Sequence, residues 1–199
     1  MEGQFFYWFF WSLWVIATFC LNKSTKRLMI AIVALLTIIL SVSTLKNDSM
    51  SVSYSYVMLL VVCYAVISKK RWNQQIYTFI SMITITFAYV SFHLFELFDP
   101  VWVLFDRKWM LTIPLVYVTF MLAKNAKDRV VLFVTGLCHG ELLYFIILQR
   151  FNFYYEIGSL NFLDVVSIGL FLIMSWAAFE YFTKYFDLLI HKNIKEKQG

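Results

Sequence analysis

Seven long apolar runs, separated by short charged segments, constrain this chain more than any other feature. They cover residues 5–21, 28–45, 52–68, 76–97, 110–123, 130–149 and 162–182. A helix needs about 20 apolar residues to cross the hydrocarbon of a bilayer, and most of the runs approach that length. The chain is 61% hydrophobic, with a mean hydropathy of +0.72, well above the range of soluble domains. The pattern predicts a single all-α domain over residues 1–199, a polytopic membrane bundle of seven transmembrane helices.

The fifth run fits this pattern least well. It is short, contains Pro114 and follows the aromatic segment FDPVWVLFDRKW. Non-helical backbone at membrane depth is tolerated only where protein or water covers it. We therefore expect the outer end of the fifth helix to be irregular, or to include part of that segment.

The basic residues predict the orientation of the bundle. Of the 17 Lys and Arg residues, 13 follow the first, third, fifth and seventh runs, and 4 lie in the alternate segments. By the positive-inside rule, the N-terminus lies outside the cell membrane, and the basic tail at residues 184–199 lies in the cytoplasm. This distribution explains the net charge of +5 without nucleic acid. Membrane lipids and other membrane proteins are the expected partners.

Four ionisable side chains within the runs are candidates for a site. His93 and Glu96 end a polar stripe on the fourth run, and their spacing of three places them on one helix face. Glu141 and Asp164 fall in the outer halves of the sixth and seventh runs. Because ionisable groups in a membrane are costly, these four are candidate catalytic or ligand-binding residues around an outward-facing cavity. The alternative is that His93 and Glu96 contact headgroups and water at the membrane surface.

The stretch TGLCHGELLYF, residues 135–145, indicates helix packing. Gly136 and Gly140 form a G-x-x-x-G step that lets another helix approach closely, and His139 lies on its flank. His139 and Glu141 are about 200° apart around the helix, so they cannot bind one ion. The sequence therefore predicts a packing role for Gly136, Gly140 and His139.

Recognised catalytic and nucleotide-binding signatures are absent from the sequence. Its three cysteines fall in different runs, which favours packing over a metal set, and no metal or cofactor is expected. A transporter would usually show paired repeats and broken helices, and only Pro114 offers a break. Three interpretations follow: a non-enzymatic assembly component, an intramembrane enzyme or metal- or lipid-binding protein with an outward cavity, and a small-solute transporter.

The start MEGQFFYWFFWSLW, the chain length, the seven short-looped runs and the short basic C-terminus together resemble the YphA family, also called SeaA. This is a family of integral membrane proteins from spore-forming Bacillus-type bacteria. The resemblance implies a Gram-positive membrane protein linked to sporulation, in particular to spore envelope assembly, with spore-envelope proteins among its partners. The resemblance brings with it no established enzymatic activity, and no catalytic residue carries over to this chain.

Overall fold

The computed structural model describes residues 2–47, 50–151 and 153–198, and their side chains except those of Asn47 and residues 187–198. Within these residues the chain forms seven α-helices and three short strands. The helices are α1 Gln4–Val15, α2 Thr25–Leu40, α3 Tyr54–Ile67, α4 Trp72–Phe98, α5 Arg107–Leu122, α6 Ala126–Arg150 and α7 Leu160–Gln198. The strands are β1 Thr44–Asn47, β2 Met50–Ser53 and β3 Glu156–Ile157. A π-helical segment, Ile16–Cys20, extends α1.

The mostly helical architecture confirms the sequence prediction at that level. Among the described residues, three helices are long and apolar enough to cross a membrane: Trp72–Phe98, Ala126–Arg150 and Leu160–Phe186. The segments Gln4–Cys20 and Tyr54–Ile67 are apolar but shorter. The basic tail predicted at 184–199 continues α7 as far as Gln198, and its side chains from residue 187 onward lie outside the described residues.

Contacts between helices show that successive helices alternate in direction. Between α4 and α5, His93 meets Arg107 at one end, and Tyr77 donates a hydrogen bond to the carbonyl of Leu122 at the other. Helices two apart in the chain therefore run parallel. The contacts that set the remaining directions are Tyr7–Ser41, Thr37–Met58, Ile85–Gly136, Tyr89–Gly140, Phe133–Gly169, Arg129–Glu180, Trp8–Phe171 and Phe120–Trp176.

A small sheet at one end of the bundle departs from the all-α prediction. β1 and β2 form an antiparallel hairpin, and β3 adds to β2 in parallel, with Ser51 paired to Glu156 and Val52 to Ile157. The predicted second run, to Leu45, and third run, from Val52, are therefore wrong at these ends. Four-residue strands are too short to be separated from flanking apolar helices by periodicity. We call this end the sheet end; it also carries the linkers 99–106 and 151–159.

The fifth helix includes part of the aromatic segment, which is the second of the two possibilities expected for this end of the helix. α5 begins three residues before the predicted run, and the Asp106 carboxylate caps it by accepting a hydrogen bond from the Lys108 N–H at 2.9 Å. The helix stays continuous through Pro114, which lies on its exposed face. A capped first turn supplies partners for the N–H groups that would otherwise be unsatisfied.

Helix α6 lies at the centre of the core, between α4 and α7. Leu137 and Cys138 are fully buried, as is Phe133, which packs against Gly169 of α7. Of the three cysteines, which are all free, Cys138 and Cys63 are buried and Cys20 is exposed. The central position of α6 places its polar residues against several neighbouring helices.

Candidate functional site

A cavity of about 310 Å³ opens at the sheet end, and we call it the chamber. Its walls come from the last turns of α4, the first turn of α5, the linker 151–159 and the start of α7. The polar residues that line it are Tyr89, His93, Asp106, Arg107, Lys108, Tyr155, Ser159 and Asn161. Of the four candidate residues, only His93 lines the chamber directly. The three carboxylates lie behind the lining and bond to residues within it.

Arg107 joins the two candidates on α4. Its Nε lies 2.9 Å from Glu96 Oε1, and one of its terminal nitrogens lies 3.1 Å from His93 Nδ1. Nδ1 is also 3.4 Å from Glu96 Oε2, which is the longer contact. Because a guanidinium can only donate, we assign Nδ1 as the acceptor of the shorter bond. The neutral imidazole then carries its hydrogen on Nε2.

His93 is held firmly but is incompletely bonded. Its ring stacks on Tyr144 of α6, with centroids 4.9 Å apart, and meets the edge of Tyr89. The side chain is only 4% exposed. Its Nε2 is the one buried side-chain nitrogen or oxygen without a hydrogen-bond partner in the part of the chain that the structure describes. A buried donor without a partner costs free energy, so the position of this atom requires an explanation.

Glu141 is fully buried and accepts hydrogen bonds from three donors. These are the hydroxyl of Tyr89, the hydroxyl of Tyr155 at 3.0 Å and the N–H of Gly158 at 3.3 Å. Gly158 has a φ of 74°, a left-handed conformation that glycine adopts without strain. Burial, and then the nearby Glu141, raise the pKa of Tyr155, so its hydroxyl remains a donor. The carboxylate thus ties α4 and the linker 151–159 to α6.

Asp164 is also fully buried, and it holds the N-terminus of the chain. Its two oxygens accept hydrogen bonds from the N–H groups of Gly3, at 2.9 Å, and Phe6, at 2.8 Å. Lys108 Nζ lies 2.5 Å from the same carboxylate. A carboxylate at a helix N-terminus satisfies free N–H groups and interacts favourably with the helix dipole. Asp164 therefore fastens both α1 and α5 to α7.

The G-x-x-x-G step on α6 packs against α4. A Cβ built on Gly136 would lie 2.6 Å from Ile85 Cγ2, and one on Gly140 would lie 2.6 Å from Tyr89 Cδ1. These distances are too short for any larger residue, so the two backbones approach closely here. His139 faces α3 instead, where its Nε2 lies 2.7 Å from the Tyr64 hydroxyl. The structure therefore places His139 and Glu141 against different neighbours.

A metal centre is not assembled around these residues. Within residues 2–46, 50–151 and 153–186, whose side chains the structure describes, no three His, Cys, Asp or Glu side chains lie close enough together to hold an ion. His93 and His139 contact different helices, as described above. The chemistry that the chamber offers is hydrogen bonding and charge.

Comparison with known proteins identifies the family. The family model of YphA-like integral membrane proteins matches residues 2–199. The chain belongs to that family. It is also 30% identical over 181 residues to "Uncharacterized protein YphA" of Bacillus subtilis strain 168, a match that covers 91% of this chain and 90% of the relative. No solved structure matches the chain. Membership confirms the family resemblance and establishes an integral membrane protein.

Arg107 and Lys108 of this YphA-like protein line the chamber. The sequence pattern indicated them only as charges in a loop. They are the first two residues of α5 and follow the capping Asp106. An Asp followed by two basic residues and an apolar run is a recognisable helix start. That signal could have placed both cations at the start of a helix, and the alternation of the helices would then put them next to the end of α4 and the start of α7.

Proposed function

We propose that this YphA-like protein crosses the cell membrane seven times, with its N-terminus outside, and acts as a non-enzymatic assembly component of the spore envelope. The observation that carries the proposal is that each of the three candidate carboxylates bonds to other elements of the protein. Glu96 bonds to α5, Glu141 to α4 and the linker 151–159, and Asp164 to α1 and α5. Each one joins separate elements of the sheet end into a fixed shape.

The seven-span topology has two sources of support. The seven helices alternate in direction, as a chain that crosses repeatedly requires. The 13 basic residues that the sequence places on one side belong to the end opposite the sheet, whereas the sheet end has Lys46, Arg107, Lys108 and Arg150. The positive-inside rule then places the opposite end in the cytoplasm.

The bonded state of the carboxylates favours assembly over catalysis. A general acid or base must reach the proton that it transfers, within about 3 Å. Glu141 and Asp164 are fully buried, with their oxygens bonded to internal donors. Membrane lipids and other membrane or spore-envelope proteins are the partners we propose. The exposed aromatic side chains of the linkers 99–106 and 151–159 supply a surface for them.

The link to sporulation rests on the family resemblance, and deleting the gene in a spore-forming host tests it. We expect fewer spores that resist heat and lysozyme, with normal vegetative growth. A Glu96→Gln variant should restore resistant spores, because an amide keeps an acceptor for Arg107 and a scaffold needs no acid or base. Normal spores in the deletion strain would contradict the sporulation role. An abundant Glu96→Gln protein that fails to complement would contradict the non-enzymatic role.

A specific observation favours a second, ligand-binding role: the chamber itself, which is lined by polar residues that include His93 and Arg107. Transport gains no comparable support. The one break that the sequence offered was Pro114, and α5 is continuous there. Binding at the chamber is compatible with an assembly role, since a scaffold can hold a ligand without transforming it.

A further inference from the structure

A second cavity, of about 410 Å³, opens at the end opposite the sheet, and we call it the basic cavity. It lies between the start of α4, the start of α6 and the linker that joins α5 to α6. Exposed Lys124 and Asn125 stand at its mouth, whereas Thr78 and Ser81, which are 7% and 2% exposed, line its inner part. Its volume falls within the range of ligand pockets, about 300–1,000 Å³.

The charged side chains around the basic cavity sum to a positive value. Lys70, Lys124 and Asp128 line it. Lys70 Nζ lies 2.7 Å from Asp128 Oδ1, and this pair leaves the Lys124 ammonium as the excess charge of the lining. Behind the lining, Arg129 pairs with Glu180 and adds no net charge. The other ionisable residues of the adjoining segments 68–71 and 123–129 are all basic: Lys69, Arg71 and Lys127. The cavity therefore favours an anionic group.

The position of the opening indicates that the anionic group belongs to a lipid. Tyr77 of α4 and Met121 of α5 both line the cavity, and they are 57% and 72% exposed. Because these helices cross the membrane in the proposed topology, such exposed side chains contact lipid. Trp72, the first residue of α4, is 74% exposed, and tryptophan and tyrosine are enriched where a membrane meets water. The basic cavity thus opens to lipid at the level of the headgroups.

We propose that the basic cavity binds the headgroup of an anionic phospholipid. The Lys124 ammonium compensates the single negative charge of the phosphodiester, and the amide groups at the mouth bond to the polar part of the headgroup. The acyl chains pass Tyr77 and Met121 into the bilayer. This inference deepens the contact with membrane lipids proposed above, because it assigns that contact a place and a lipid class. It does not depend on the assembly role.

Calorimetric titration of the full chain in dodecyl maltoside tests the ligand class with three ligands. Dihexanoyl phosphatidylglycerol is anionic, dihexanoyl phosphatidylcholine carries the same phosphodiester without net charge, and inorganic phosphate lacks the lipid. We expect saturable binding of phosphatidylglycerol that is about fivefold tighter than binding of either comparison ligand, because one basic side chain near a membrane surface attracts an anionic lipid at that level.

Each other outcome of the titrations overturns a part of the proposal. Equal affinity for phosphatidylcholine would overturn the selection for charge, and equal affinity for inorganic phosphate would overturn the lipid as the source. A lack of saturable binding would overturn the site. The spores of the deletion strain are measured separately, so these failures are distinguishable from failure of the assembly role.

Two lysine variants locate the site. Lys124→Gln removes the excess charge of the lining, and it should weaken phosphatidylglycerol binding by about fivefold. Lys127→Gln is the matched control, because it removes the same charge at an exposed position outside the lining and should change the affinity by less than about twofold. Equal weakening in both variants would overturn the cavity in favour of a diffuse basic surface. Unchanged affinity in Lys124→Gln would overturn the role of that residue. Both positions are exposed, so neither substitution disturbs the core.

Discussion

The hydroxyl of Tyr89 donates a hydrogen bond to the buried carboxylate of Glu141, beside a close contact between α4 and α6. The same tyrosine ring packs over Gly140, one residue before Glu141. Its other neighbour is the His93 ring, at 4.4 Å between centroids. The Tyr89 side chain therefore contacts Gly140 of the packing step, the buried carboxylate of Glu141 and His93 in the chamber wall.

Enlarging Gly140 should separate α4 from α6. A methyl group in the Gly140→Ala variant would lie 2.6 Å from the Tyr89 ring, and moving the ring would disturb its bond to Glu141. Overpacking of this kind costs about 1–3 kcal/mol. Thermal unfolding in detergent should show a lower midpoint for Gly140→Ala. Leu142→Ala, on a more exposed face of the same helix, is the control and should change the midpoint less. An unchanged midpoint for Gly140→Ala would contradict this expectation and show that the Tyr89 ring can move away without loss of stability.

Removing a hydroxyl that bonds to Glu141 should destabilise the linker 151–159. Tyr155→Phe leaves the buried carboxylate with one donor fewer, at a cost of about 1–3 kcal/mol. Tyr117→Phe, at an exposed position on α5, is the matched control. Denaturant unfolding in mixed micelles should separate the two variants. Equal stability would indicate that water replaces the lost hydroxyl.

Replacing Asp164 should release the N-terminus of the chain. Asp164→Ala removes the acceptor of the Gly3 and Phe6 N–H groups and leaves Lys108 without its carboxylate, and breaking a buried pair costs about 3–5 kcal/mol. Hydrogen exchange should accelerate through α1. Asp99→Ala, which removes an exposed cap at the short turn Pro100–Trp102, should leave α1 protected. Continued protection of α1 in Asp164→Ala would mean that helix packing alone holds it.

The sequence predicted which segments are helical and which residues are polar within them, but not which side chains meet. The spacing of His93 and Glu96 placed them on one helix face, whereas the residue that joins them, Arg107, comes from another helix. Gly136 and Gly140 indicated a close approach, but periodicity within one helix cannot identify its partner. The donors to Glu141 come from positions 89, 155 and 158, and only the folded bundle brings them together.

The strands were missed for a different reason. TLKN and MSVS are each four residues long and continue apolar runs on either side, so local propensity gave no boundary. TLKN pairs with MSVS, and MSVS pairs in turn with Glu156 and Ile157, a contact over more than 100 residues. Such contacts depend on the positions of α3, α6 and α7, which are set by tertiary packing.

The orientation of the sheet end is the most direct test, because the proposed topology requires this end to face outward. Lys46→Cys, at an exposed position on the sheet end, and Lys124→Cys, at an exposed position on the opposite end, can each be introduced in a Cys20→Ser background, in which the two native cysteines that remain, Cys63 and Cys138, are buried. Intact cells are then treated with a membrane-impermeant maleimide. We predict that Lys46→Cys is labelled in intact cells and that Lys124→Cys is labelled only after lysis. Labelling of Lys124→Cys alone in intact cells would contradict the account.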